Sequence, residues 1–235
     1  RTDGAHNARV FFGKSSTNLK YYADQSSNTT EHEVALTNLS PDTKYFYAIA
    51  DSAGELTQQT DSNFFYTAPT VGGDDFSRIW VLGDFGRASS EQEDTRDAYY
   101  NYVGDGYTDG VILLGDNAYN TGTDSEFESK FFEYYDDKIL RQTPLWPAPG
   151  NHDYGSASPS RSTNCAYYDL FTVPTAAEAG GVSSGTEQYY SFDHSNIHFL
   201  SLDSYGENGG DRMSDTSGNQ AQWVKSDLAA TSQLW

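Results

Sequence analysis

Basic residues are scarce in this chain. Only 14 Lys and Arg stand against 34 Asp and Glu in 235 residues, for a net charge of -20. Such a surface repels phosphodiester backbones and anionic headgroups, which argues against binding nucleic acid through its backbone or attaching to charged lipid. Long apolar runs are also absent, and none approaches the ~20 residues of a membrane span. There is no signal peptide, and the chain starts at Arg1 without a Met, which fits processing or truncation. A single cysteine, Cys165, decides little about compartment. It either pairs with a thiol elsewhere or is a plain buried thiol.

What is present suits a packed, two-part chain. At 36% hydrophobic and 15% aromatic residues it can bury a real core, and its length accommodates two domains. Residues 1 to 69 hold short β-rich runs: Arg9 to Gly13, Tyr21 to Ala23, Glu33 to Leu36, Tyr45 to Ala50 and Asn63 to Thr67. Turn residues separate them at the spacing of a β-sandwich. The stretch Leu36-Thr37-Asn38-Leu39-Ser40-Pro41-Asp42-Thr43-Lys44-Tyr45 resembles the turn of fibronectin type III domains, in which the Tyr hydroxyl ties the corner. A full sandwich takes about 90 to 100 residues, so the resemblance implies a partial one. Ala68 to Asp75, with one Pro and paired Gly and Asp, reads as a linker, and residues 70–235 as the second domain.

That second part alternates strand and helix, the pattern of layered α/β folds. Arg78-Ile79-Trp80-Val81-Leu82 ends in Gly83-Asp84-Phe85-Gly86, and Val111-Ile112-Leu113-Leu114 ends in Gly115-Asp116-Asn117-Ala118-Tyr119. Leu145-Trp146-Pro147-Ala148-Pro149 ends in Gly150-Asn151-His152-Asp153. Four consecutive apolar residues at 111–114 suit a strand covered on both faces. Asp84 and Asp116 are 32 positions apart and Asp116 and Asn151 are 35, enough for a βαβ crossover each time. Three adjacent strands then deliver Asp84, Asp116, Tyr119, Asn151 and His152 to the carboxyl edge of one sheet, where open α/β sheets bind ligands. These are metal donors: a carboxylate can bridge two cations roughly 3.5–4 Å apart, and an amide oxygen adds a ligand without charge. A phenolate is a hard anionic donor, and His152 is either a ligand or a hydrogen-bond donor to a phosphoryl group. The plainer reading makes each Gly-Asp a turn or helix cap, which explains one site far more readily than three.

The three blocks resemble the first signature motifs of the calcineurin-like metallophosphoesterases, and the Tyr in the second resembles the purple acid phosphatase branch. That resemblance implies a dinuclear centre of ferric iron with divalent iron, zinc or manganese. It places Asp84 and Tyr119 on the ferric ion, Asp116 between the ions, Asn151 on the divalent ion, and His152 beside the phosphoryl group. It also implies a secreted or periplasmic hydrolase of phosphate esters. Two further family blocks, Val-x-x-His and Gly-His-x-His, do not occur. Of the five His, only His152 lies in a family motif; His194 and His198 fall in an alternating stretch and read as ordinary strand positions. The expectation is a fragment whose remaining His ligands lie downstream.

The rest of the chain adds packing elements. Ser90-Glu91-Gln92-Glu93 has the form of a capping box opening a helix to about Val103, and another helix starts at Asp124. In the latter, Phe127, Phe131, Tyr134 and Tyr135 form a packing stripe. Residues 153 to 188 are irregular and are either a substrate rim or a solvated insertion. A hairpin (Tyr189 to Phe192, Ile197 to Leu202) and a final helix (Gly218 to Leu228) follow, and Asp203 resembles a structural position. The sequons at Asn28 and Asn38 permit glycosylation. The expected activity is metal-assisted hydrolysis of a phosphate monoester. Two rivals remain: a phosphodiester or nucleotide hydrolase on the same site, and a non-catalytic assembly or adhesion protein. Homo-oligomerisation is left open.

Overall fold

A computed structural model describes residues 1–51, 54–55, 59–206 and 213–235. The N-terminal strands are β1 (His6–Gly13), β2 (Tyr21–Thr29), β3 (Lys44–Asp51), β4 (Gly54–Glu55) and β5 (Phe64–Tyr66). They form one antiparallel sheet, ordered β2-β1-β3-β4 with β5 also on β3. No second sheet faces it among the described residues, and residues 33–36 lie outside any strand. The expected corner is present: the Ser40 N–H donates to the Tyr45 hydroxyl at 3.0 Å, with the Tyr45 ring buried. Tyr45→Phe removes that acceptor and is expected to cost about 1 kcal/mol, read as a lowered urea midpoint at unchanged slope.

The second part opens with β6 (Ile79–Leu82), α1 (Ser90–Val103) and β7 (Gly110–Leu113). After them come the short helix α2 (Asp124–Phe127), a π-helical turn (Glu128–Phe132), α3 (Glu133–Tyr135), α4 (Ile139–Gln142) and β8 (Leu145–Pro147). Strands β6, β7 and β8 lie side by side and parallel, with Trp80 opposite Val111 and Ile112 opposite Trp146. Both helical connections are the crossovers that parallel pairing demands. The cap of α1 is Ser89, one residue earlier than the box implied, and its side chain accepts from the Gln92 N–H.

The aromatic stripe makes the core. Phe127, Phe131 and Tyr135 are buried and pack with Trp80, Leu82, Val111 and Leu113 beneath the sheet. Full burial of each such side chain contributes roughly 1.5–3 kcal/mol. The other face does not match the expectation of a strand covered on both sides. Val81 is 51% and Leu114 62% exposed, because no element of the described chain lies over them. Only at β8 is that face covered: Trp146 stacks on Phe192 at 3.8 Å from the hairpin β9 (Tyr190–His194) and β10 (Ile197–Ser201).

Between Asp153 and Gln188 the one regular element is α5 (Ala166–Leu170), and Cys165 just before it is a buried free thiol. The last helix, α6 (Asn219–Ala230), is tied to the hairpin through Asp227, while its buried Trp223 donates to the Val182 carbonyl and Gln220 bonds the Asp203 backbone. His198 joins the two. Its Nδ1 meets Asp193 Oδ1 at 2.7 Å and its Nε2 meets Asp227 Oδ2 at 2.6 Å. It is therefore more than an ordinary strand residue, whereas His194 is simply buried at the end of β9. The N-terminal sheet meets the α/β part through Tyr47, whose hydroxyl donates to the Arg141 carbonyl at 2.9 Å, and through Tyr66 and Tyr107.

Candidate metal centre

Each of the three parallel strands ends in a loop at the same edge, and the loops are fastened to one another by backbone. The Asp84 N–H donates to the Gly115 carbonyl at 3.1 Å, and the Tyr119 N–H to the Gly86 carbonyl at 2.8 Å. Gly86 permits this approach, since a β-carbon there would lie 1.8 Å from the Asn117 oxygen. Gly115 has φ +96° and touches the Gly150 backbone, so only glycine serves both the turn and the contact. Asp84 and Asp116 are also left-handed, at φ 56° and 54°. Asp is among the few side chains that accept this conformation, and the turn swings each carboxylate off its strand axis.

Their carboxylates converge on one phenol. The Tyr119 hydroxyl lies 2.7 Å from Asp84 Oδ1 and 2.9 Å from Asp116 Oδ2. The other oxygen of Asp116 accepts the backbone N–H of His152 at 2.9 Å. Burial first, then the two carboxylate bonds, push the Tyr119 hydroxyl well above its ordinary pKa. A single proton thus sits among three hard oxygen donors. A cation taking its place would find those donors already gathered, so the residues fit a hard metal ion. Among the described residues no group of three or more His, Cys, Asp or Glu is arranged for a metal. The set here reaches its number only through a phenol and an amide.

Asn151 and His152 arrive from the third loop. The Gly150 backbone packs on Asp116 and His152 bonds to it, so Asn151 between them stands at the rim, its side chain exposed. No hydrogen bond joins Asn151 to the other donors among the described residues. The His152 ring lies 4.4 Å from that of Tyr119, and its Nδ1 donates to the Asn120 carbonyl at 2.6 Å. That bond fixes the tautomer and leaves Nε2 to face whatever occupies the edge.

Two further residues position this site and are not among those expected from the sequence. Asp153, fully buried, accepts the Gly150 N–H at 2.7 Å, the Asn117 N–H at 3.0 Å and the Asn117 side-chain amide at 3.0 Å. It clamps the second loop to the third. Burial pushes its carboxyl up to about 6, while the backbone donors of Gly150 and Asn117 pull the other way. Asn117 also donates to the Ala148 carbonyl at 3.1 Å, closing the same junction. The one sequence signal for this clamp is that both polar residues stand in the short loops after apolar strands, Asn117 following Gly115-Asp116 and Asp153 following Gly150-Asn151-His152.

Comparison with known proteins gives a family for the chain. Residues 77–233 match the family described as Calcineurin-like phosphoesterase. The chain is similar to Purple acid phosphatase 15 of Arabidopsis thaliana, 27% identical over 220 residues, which is 84% of this chain and 38% of that protein. It is also similar to Purple acid phosphatase 23 of the same plant, 28% identical over 222 residues, 84% of this chain and 44% of the relative. Purple acid phosphatase 13 matches at 25% over 229 residues, 84% of this chain and 39% of the relative. The chain therefore spans about two fifths of the length of these curated relatives.

Proposed function

The chain belongs to the calcineurin-like phosphoesterase family, on the purple acid phosphatase branch, and on that premise we propose that it hydrolyses phosphate monoesters at a dinuclear metal centre. The observation that carries this is the Tyr119 hydroxyl held between Asp84 and Asp116. When bound, a centre of ferric iron with divalent iron, zinc or manganese supplies the activated water and the positive charge that phosphoryl transfer requires.

The chain's own residues divide the remaining work. Asp84 and Tyr119 would hold the ferric ion, with Tyr119 as a phenolate. Asp116, the central carboxylate, would serve both ions, and Asn151 would add an amide oxygen for the divalent ion from the rim. Nε2 of His152 is the ring nitrogen left for the phosphoryl oxygens or the leaving group, because Nδ1 is already committed to the Asn120 carbonyl. Asp153 and Asn117 keep the second and third loops in register, so the donors do not need to be reassembled at each turnover. We take residues 1–69 as a fibronectin III-like unit and residues 70–235 as the metallophosphoesterase unit. The sequon asparagines Asn28 and Asn38 are exposed, which supports a secreted protein.

Turnover of para-nitrophenyl phosphate against bis(para-nitrophenyl) phosphate by the full-length, metal-loaded protein tests the monoester assignment. The monoester is expected to be the faster substrate, and a preferred diester overturns the assignment. His152→Asn is expected to lower kcat by about 10²–10³ while the metal content stays constant. Loss of metal in that variant instead makes His152 a ligand.

A further inference from the structure

Arg87 follows the first of the three loops, and among the described residues its guanidinium meets only an aromatic face. The side chain is exposed, with Cζ 3.7 Å from the centroid of the Tyr119 ring. No hydrogen bond or ion pair engages its five N–H donors among the described residues. Other cations near this edge are spent: Lys130 on Glu126 and the Tyr119 carbonyl, Arg96 on Asp97 and the Tyr134 carbonyl. In a chain of net charge -20, an unpaired guanidinium lying against a proposed metal ligand is an unusual placement.

Its backbone is held firmly. The Arg87 and Ala88 N–H groups both donate to Gln92 Oε1, at 3.0 and 2.9 Å. Gln92 is itself buried and anchored to the Lys130 carbonyl at 2.8 Å. Stacking on a phenol face orients the guanidinium plane. The edges of the fork, where the N–H groups point, stay open. A planar fork of this kind matches the oxygens of a phosphate, which it binds bidentately.

The guanidinium lies over the ring of Tyr119, not at its hydroxyl, so its donors fall beside the Asp84–Tyr119–Asp116 cluster. A phosphoryl group reacting at that cluster would have Arg87 alongside, at the place of a neighbouring substituent. We propose that Arg87 is a specificity residue that binds a second, non-reacting phosphate of the substrate, so that the site favours esters in which two phosphate groups are close together. The inference rests on the phosphoesterase reading of the site.

The test compares two non-hydrolysable probes, methylphosphonate and methylenediphosphonate, titrated by calorimetry into the full-length, metal-loaded protein. They differ by one anionic group. The wild type is expected to bind the diphosphonate at least ~10-fold more tightly, the size of one charge-assisted, bidentate contact. Arg87→Gln is expected to remove most of that difference while methylphosphonate affinity stays within about 2-fold. Arg87→Lys, which keeps charge but not the fork, is expected to fall between. Because Arg87 is exposed and loses only its ring contact, the melting temperature should fall by no more than a few degrees. A difference between the probes that survives Arg87→Gln overturns the proposal, as does an equal loss for both probes, which would place Arg87 on the reacting group. A wild-type protein that binds metal but neither probe refutes the phosphoesterase reading itself.

Discussion

Asp116→Asn is expected to leave the fold intact and lower phosphatase turnover by about 10³ or more, with loss of at least one metal ion per chain. The substitution is gentle to the backbone, because Asn also accepts the left-handed φ of 54° found at this position. Its amide oxygen can still receive the His152 N–H, now bonded at 2.9 Å, so the second and third loops stay joined. What disappears is the negative charge facing the Tyr119 hydroxyl at 2.9 Å, on the carboxylate proposed to serve both ions. Stabilisation worth several kcal/mol depends on the metal pair, and each 1.36 kcal/mol is tenfold in rate. Elemental analysis and steady-state kinetics on the same preparation read both effects. A variant retaining both metals and full activity would refute the bridging role.

The second large effect lies away from the site, at His198. Its ring, with a side chain only 2% exposed, is wedged between Asp193 and the fully buried Asp227. Asp227 also accepts the Val182 N–H at 2.6 Å and the Ser191 hydroxyl at 2.9 Å, so four segments meet at this carboxylate. Removing the imidazole in His198→Ala leaves two carboxylates facing each other without the intervening cation. Breaking a buried pair in this way costs about 3–5 kcal/mol. Burial by itself pulls the His198 pKa down, but the hydrogen bonds to Asp193 and Asp227 outweigh it and the net shift is upward. A raised imidazole pKa contributes stability that is full below the unfolded value of about 6.5 and is lost as pH rises through the folded value. Urea midpoints across pH 5 to 9 should therefore fall with rising pH in the wild type more steeply than in His198→Ala. Equal slopes would exclude a charged His198 in the fold.

Much of the site was legible in the sequence because its motifs sit where strand grammar is clearest. An apolar run that stops at Gly-Asp or Gly-Asn announces both a buried strand and a turn, and three of them at crossover spacing imply one parallel sheet. The packing stripe from Phe127 to Tyr135 was visible for a similar reason, as a 3.6-residue period of aromatics. Asp153 and Asn117 were not visible as a clamp, because their role arises from contacts across 36 positions that no local pattern encodes. His198 was invisible for the same reason, since its partner Asp227 belongs to the last helix. The exposed Val81 and Leu114 teach the converse. Apolar character at 81 and 114 marks a face able to be covered, and whether anything covers it depends on residues elsewhere. Residues 33–36 show the limit of β propensity: they have the composition of a strand but pair with no strand among the described residues.

The most direct test of the account is the metal content of the full-length protein, measured together with its visible absorption. Two ions per chain including iron, with a broad visible band that disappears in Tyr119→Phe, is the result that Asp84, Asp116, Tyr119 and Asn151 as metal donors predict. A protein that takes up no metal under replete conditions, with its fold intact, would contradict the account and leave the converging donors as a structural junction alone.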